Sequence, residues 1–290
     1  MKAFEFFAPQ NLEEALEMLH RFKKEAAVIS GGTDLVIALE ERLAPKYIID
    51  LSHLDELRYI KDTENNISIG AMVTHSSIEK SETIRRYAYA LSRASSEVGT
   101  WQIRNLGTIG GNLATASPAG DTYPPLLVLK AQLKLRNYVN ERIIAVKDFC
   151  IDYKKTILAP DEIIVEVQIP KVRGMESSWV KLGKREHNAL SIVSASTAIK
   201  LNHDKFELVK IALGSVRSTP FLAERASSYL VHKTISDENI LMAAEIASTE
   251  VQPRATGTKG VSPEYRKAMT KVLTKRALAE AVERVRSKEN

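Results

Sequence analysis

The chain has 290 residues, more than one compact domain ordinarily holds, so two packed units with sizeable cores and room for a large cofactor are expected. Hydrophobic residues at 44% and charged residues at 27% exclude a disordered chain, and a net charge of only +5, spread along the sequence, makes nucleic acid a poor partner. A single cysteine, Cys150, excludes an internal disulfide and cannot supply the thiolate set of a zinc or iron-sulfur site, so any such cluster must sit on another chain.

Met1 to Gln10 lacks the basic flank and apolar run of a secretory signal. No apolar stretch approaches membrane-spanning length, so a cytoplasmic location without membrane insertion is the expectation. Asn11 followed by Leu12, Ala15, Leu16 and Leu19 reads as a capped helix with one apolar stripe, ending near Lys23 or Lys24. Ala26–Ile29 and Tyr47–Leu51 read as strands with a helix over Leu35–Leu43 between them, a small βαβ-like unit. Ile67–Ala71 reads as a strand, Thr74–Glu79 as a capped helical turn, Tyr87–Val98 as one helix and Leu126–Leu129 as an apolar helical segment. Gln132–Arg136 pairs with Arg142–Val146, and Ile163–Ile169 is a strand closed by Pro170.

A charged segment punctuated by Pro170 and Gly174 marks a domain boundary before Ser177. Beyond it Trp179–Leu182, Ile192–Leu201 and Phe206–Leu213 read as antiparallel strands, the last two joined around Asn202–Lys205. Helices follow after Thr219-Pro220, Ser236 and Ser262-Pro263, and Gly257 and Gly260 lie in a basic loop before the last of them. The basic run from Arg266 to Arg286 alternates with Ala, Leu and Val at helical spacing, the pattern of a solvated helix face.

Neither G-x-G-x-x-G nor G-x-x-x-x-G-K-[ST] occurs, so a nucleotide would need another cradle. Two segments offer one: Ser30-Gly31-Gly32-Thr33-Asp34-Leu35, directly after a strand, and Thr108-Ile109-Gly110-Gly111-Asn112. Each sets adjacent glycines among hydroxyl or amide side chains, so backbone N–H groups can reach phosphate oxygens with no side chain in the way. Taken singly, a Gly-Gly step after a strand is also an ordinary tight turn. The stretch from Gly107 to Gly120 is long, small and polar where a packed domain normally places secondary structure, which is a mark of function.

In company, the strand-GGTDL segment, the I-R-N-x-x-T-I-G-G-N segment, Gly214-Ser215-Val216 with Thr219-Pro220, and Ser262-Pro263-Glu264-Tyr265-Arg266 resemble the flavin subunits of the xanthine dehydrogenase and carbon monoxide dehydrogenase family, the molybdenum hydroxylases. The resemblance spans nearly the whole chain. It implies an α+β fold: a two-subdomain FAD-binding domain over residues 1–172, divided near 57, then an α+β domain over 173–290 with an antiparallel sheet and helices. It places Val28, Ile29, Ser30, Gly31, Gly32, Thr33, Asp34 and Leu35 at one pyrophosphate loop and Thr108, Ile109, Gly110, Gly111 and Asn112 at the other. By the same likeness Val98 and Gly99 lie at the flavin edge, Thr115 and Asp121 reach ribose or phosphate hydroxyls, Ile164 makes an apolar cofactor contact, and Lys181 is a cation near the ring. The activity implied is oxidoreductase electron transfer, from a 2Fe-2S subunit through FAD to NAD or another soluble acceptor, with molybdopterin on a further subunit of the complex.

Bland alternatives stand beside these roles. Asp121 also suits a turn toward Tyr123, Ile164 suits the core, and Lys181 suits a solvated surface with Lys184 and Arg185 nearby. Arg104 and Asn105 orient the second loop or meet a partner, Trp101 suits core or interface packing, Cys150 suits a small buried hydrophobe, and a lone His187 is ordinarily structural or exposed. Two rival functions remain: a self-contained flavin reductase resembling UDP-N-acetylenolpyruvoylglucosamine reductase, and a non-catalytic scaffold subunit.

Overall fold

The structure, a computed structural model, describes residues 3–41, 43–185, 188–253 and 261–289, the side chain of Glu289 excepted. His187, Gly257 and Gly260 lie outside the described residues.

The chain opens with β1 (Glu5–Phe7), α1 (Leu12–Phe22), β2 (Ala26–Ile29), α2 (Leu35–Glu41) and β3 (Tyr47–Asp50). The Asn11 side chain accepts the Glu14 N–H at 2.9 Å and so caps α1. All three strands are parallel, in the order β1-β3-β2, with the helices as crossovers. Leu12, Ala15, Leu16 and Leu19 pack on Ile49 and Leu51, and also on Ile163 and Val165 from a later strand, so this small unit does not close its core alone. The first glycine segment leaves the carboxyl end of β2.

The next unit contains β4 (Ile60–Asp62), β5 (Asn66–Gly70), α3 (His75–Lys80), α4 (Glu82–Tyr87), α5 (Tyr89–Ser96), α6 (Trp101–Leu106), α7 (Ile109–Thr115) and α8 (Tyr123–Val128). It continues with β6 (Gln132–Arg136), β7 (Glu141–Ala145), β8 (Cys150–Asp152), β9 (Lys155–Thr156) and β10 (Ile163–Pro170). An antiparallel sheet runs β4-β5-β10-β6-β7. Its central strand β10 is buried on both faces: Ile163 and Val165 face the first unit, while Ile164, Val167 and Ile169 join the main core. The helix expected over Tyr87–Val98 is the shorter α5, separated at Ala88 from an unforeseen α4 that ends at Tyr87, and in the first turn of α5 the Ala90 N–H donates to Ser177 Oγ at 3.1 Å. That acceptor comes from the far side of the domain boundary, so no local pattern signals the break. Cys150, expected to be buried, is partly exposed at the start of β8, where it pairs with Thr156.

The last unit is β11 (Met175–Gly183), β12 (Ser191–Asn202), β13 (Lys205–Gly214), β14 (Phe221–Leu222), α9 (Glu224–Leu230), α10 (Asp237–Thr249) and α11 (Pro263–Glu289). Its four strands form an antiparallel meander. Helix α9 starts later than Thr219-Pro220 suggests because Phe221 and Leu222 first pair with Leu213 and Ala212. The sheet is a filling between two layers: Val193, Ala195, Ile199, Ile211 and Leu213 pack with Leu273, Ala277, Ala281 and Val285 of α11, while Ala198 and Ala212 join the core of the preceding unit. Helix α11 is thus not a solvated basic face throughout. Arg266, in its first turn, is buried and donates from Nη1 to the carbonyls of Ile192 at 2.7 Å and Ser215 at 2.8 Å.

Candidate functional site

The two glycine segments, far apart in sequence, lie side by side. A Cβ on Gly31 would land on the carbonyl oxygen of Leu106, so only glycine lets the first segment approach the end of α6 this closely. One on Gly111 would face Ser30 Cβ at 4.0 Å, and one on Gly107 would lie 3.5 Å from Thr33 Oγ1. The Thr115 hydroxyl braces the pair, its one proton lying between the Gly111 carbonyl at 2.9 Å and Asp34 Oδ2 at 3.3 Å. A seam results, with Ser30–Asp34 on one wall and Gly107–Thr115 on the other.

The walls differ in their free donors. Among the described residues, no hydrogen bond engages the main-chain N–H of Gly31, Gly32, Thr33 or Asp34, leaving a run of four donors on a partly exposed turn. The second segment was expected to present free amides too, but it forms the start of α7. The N–H of Ile109 donates to the Val73 carbonyl at 3.0 Å, that of Gly110 to Ala71 at 2.9 Å, and that of Gly111 to the capping Thr108 Oγ1 at 3.1 Å. A Cβ on Gly110 would press within 2.8 Å of Ala71 Cβ, so this glycine serves close packing on the strap that continues β5. That strap leads on to β10, for the Ala71 N–H donates to the Val165 carbonyl at 3.0 Å. Ile164, beside it, packs in the main core with Ile109 and Leu113 of α7.

From the second wall a chain of side chains leads into a buried ion pair. Asn112 Oδ1 accepts the Thr122 hydroxyl at 2.6 Å, and next to Thr122 the carboxylate of Asp121 accepts Lys181 Nζ at 2.7 Å on Oδ2 and Ser191 Oγ at 2.5 Å on Oδ1. Lys181 Nζ also donates to the Glu97 carbonyl at 3.0 Å, one residue before Val98 and Gly99. The side chains of Lys181 and Asp121 are 6% and 7% exposed, so neither is a surface charge. Burial pushes the Asp121 carboxyl up, against the opposing pull of the Lys181 ammonium and the Ser191 hydroxyl. The Val98 carbonyl accepts Arg104 Nη1 at 3.4 Å, and Asn105 Oδ1 accepts Ser76 Oγ at 2.6 Å, so both residues tie α6 to its neighbours.

Beneath the seam lies His75, fully buried, its main-chain N–H on the Gly107 carbonyl at 3.0 Å. Burial, helped by the nearby Arg104 guanidinium, lowers its imidazole to about 4, so it is neutral at ordinary pH.

Two family profiles cover most of the chain: the FAD binding domain in molybdopterin dehydrogenase matches residues 2–172, and the CO dehydrogenase flavoprotein C-terminal domain matches residues 178–281. The chain belongs to the FAD-binding subunits of the molybdenum hydroxylases. It is 43% identical to the nicotinate dehydrogenase FAD-subunit of Eubacterium barkeri over 208 residues, 70% of each chain. It is 30% identical to the glyceraldehyde dehydrogenase medium chain of Sulfolobus acidocaldarius, covering 96% of this chain and 98% of that one. Among solved structures, quinoline 2-oxidoreductase from Pseudomonas putida 86 superposes with a TM-score of 0.92 at 28% identity, over 98% of this chain and 99% of that one.

This flavoprotein subunit is therefore an oxidoreductase component with an FAD-binding domain and an α+β carboxy-terminal domain. Among the described residues no helix is long and apolar enough to cross a membrane. Sequence reasoning named the glycine segments, Val98, Gly99, Asp121 and Lys181, but missed Ser191, the Glu97 carbonyl and His75. Ser191 looks like any strand residue, and a main-chain carbonyl leaves no mark in sequence. Arg266, read as the start of a solvated face, and Gly214-Ser215-Val216, noted only as motif, turn out to frame the site, since the Ser215 N–H donates to the Pro118 carbonyl at 2.8 Å. Trp101 is not core; it stands 62% exposed at the start of α6.

Proposed function

We propose that FAD lies along this seam, with its diphosphate on the N–H groups of Gly31 to Asp34 and its ring beside Val98, Gly99 and Lys181. The observation that carries the reading is the run of four main-chain donors without acceptors among the described residues, on the wall that meets the Gly107–Thr115 segment. Successive N–H groups on a glycine turn make a concave anion site, which suits a diphosphate. Thr108, Asn112 and Thr115 act indirectly: Thr108 fixes the start of α7, Asn112 holds Thr122, and Thr115 keeps the walls at a set separation. Ile164 supports the floor from within the core rather than touching the ligand. When bound, FAD supplies the exchange between single-electron and paired-electron chemistry that this subunit needs. Lys181 has one N–H beyond those given to Asp121 and the Glu97 carbonyl, and it holds that positive charge where the ring gains electron density.

In the same reading, electrons arrive from a 2Fe-2S subunit and leave to NAD or another soluble acceptor, while molybdopterin and the substrate occupy a further subunit of a cytoplasmic complex. One cysteine on this chain and the naming of its relatives as an FAD-subunit and a medium chain both favour that division. A domain limit at residues 172–173 is part of this reading; the first family profile ends at residue 172 and the second begins at 178. Titrating the purified chain with FAD tests the core of the proposal. One FAD per chain with quenched flavin fluorescence is expected, and a protein that refuses FAD would favour the scaffold alternative.

A further inference from the structure

We infer that Arg104 is a positioning residue for the flavin: held by Glu79, it grips the Val98 carbonyl and so aims the Gly99 N–H at the polar edge of the ring. The inference rests on the proposed place of FAD. The carbonyl and the N–H of one trans peptide share a plane and point opposite ways, so an anchor on the Val98 oxygen sets the direction of the Gly99 hydrogen. That oxygen accepts Arg104 Nη1 at 3.4 Å. Among the described residues no acceptor takes the N–H of Gly99 or of Thr100, and both residues are partly exposed. The bend that carries them packs directly on α6: Gly99 sits at φ 50°, and a Cβ there would meet Ile103 Cγ2 at 2.9 Å.

Several helices build the grip. Arg104 stands in the last turn of α6, its Nε 3.3 Å from Glu79 Oε2 near the end of α3. Glu79 is fixed in turn, because its own carbonyl accepts Arg85 Nε of α4 at 2.9 Å and Ser92 Oγ of α5 at 3.1 Å. The Arg104 side chain is 17% exposed, too enclosed to serve as a recognition charge on a partner's surface. A planar guanidinium faces a carboxylate and a carbonyl at once, whereas an apolar chain of similar length reaches both places and bonds to neither. On the preceding peptide Lys181 Nζ holds the Glu97 carbonyl at 3.0 Å, so two consecutive carbonyls of the bend are anchored, one from the carboxy-terminal sheet and one from α6.

The test compares two ligands on the full chain: FAD, and ADP, which carries the adenosine and the diphosphate but no ring. Arg104→Met should weaken FAD binding about fivefold to tenfold, the scale of one lost polar contact, and leave ADP within about twofold of wild type. At saturating FAD its visible absorption bands should also shift, because they respond to hydrogen bonding at the ring. An equal loss for both ligands would mean that Arg104 serves the seam as a whole, and would overturn the inference. So would unchanged FAD affinity, or flavin bands identical to those of wild type. Should Arg104→Met fail to fold, Glu79→Gln keeps the side-chain length, loosens the guanidinium and should move the FAD-to-ADP affinity ratio the same way by a smaller step; no change there counts against the idea. Wild-type FAD uptake is measured first, and its failure would sink the proposed seam, separately from the role of Arg104.

Discussion

Replacing His75 by glutamine should remove an acid weakness from the fold. The imidazole lies under Gly107 with Nδ1 lacking a hydrogen-bond partner among the described residues, and its pKa is lowered from 6.5 to about 4 by burial and by Arg104. In the unfolded chain the same group takes its proton near 6.5. The folded state therefore binds fewer protons: the stability is fully present above 6.5, falls as pH drops through the window from 6.5 to about 4, and is lost in full below it. At ~1.4 kcal/mol for each pH unit in that window, the whole effect is about 3 kcal/mol, of which about 2 kcal/mol lies between about pH 7 and about pH 5. Urea unfolding of the FAD-free protein, followed by circular dichroism at those two pH values, measures it. Groups other than His75 titrate alike in wild type and His75→Gln, so the comparison isolates the imidazole. Wild type should lose about 2 kcal/mol more than the variant. Equal losses would refute the reasoning.

Gly111→Val should fold normally by circular dichroism yet bind FAD at least about tenfold more weakly, because its side chain would press on Thr108 Oγ1, 3.0 Å from the new Cβ, and crowd the seam beside Ser30, whose Cβ lies 4.0 Å away. By contrast, Gly31→Ala places a carbon on the Leu106 carbonyl and should cost about 2 kcal/mol or more of urea stability even without FAD. Arg266→Met should cost about 2 to 4 kcal/mol in the same assay, since it strips one buried and one partly buried carbonyl of a charged donor; a change within error would show that water replaces the guanidinium.

Much of the fold was legible because its signals are local. The Asn11 cap with its apolar stripe, the Ser236 cap of α10 and the paired strands around Asn202–Lys205 all follow from periodicity and turn chemistry. The glycine segments were legible as a pair, but not the part each plays. Two glycines in a row argue against helix, yet Thr108 was a capping residue in plain view, and tertiary bonds to Ala71 and Val73 complete what propensity disfavours. Arg266 read as solvated because helical spacing cannot tell which face meets a sheet. The Asp121–Lys181–Ser191 cluster was beyond local reasoning altogether, since its members are brought together by the packing of two domains.

The most direct test of the seam is an amide spectrum of the labelled chain by NMR, recorded with and without FAD. The N–H signals of Gly31, Gly32, Thr33 and Asp34 should shift strongly and become protected from solvent exchange as FAD binds. FAD bound with those four signals unmoved would contradict the account.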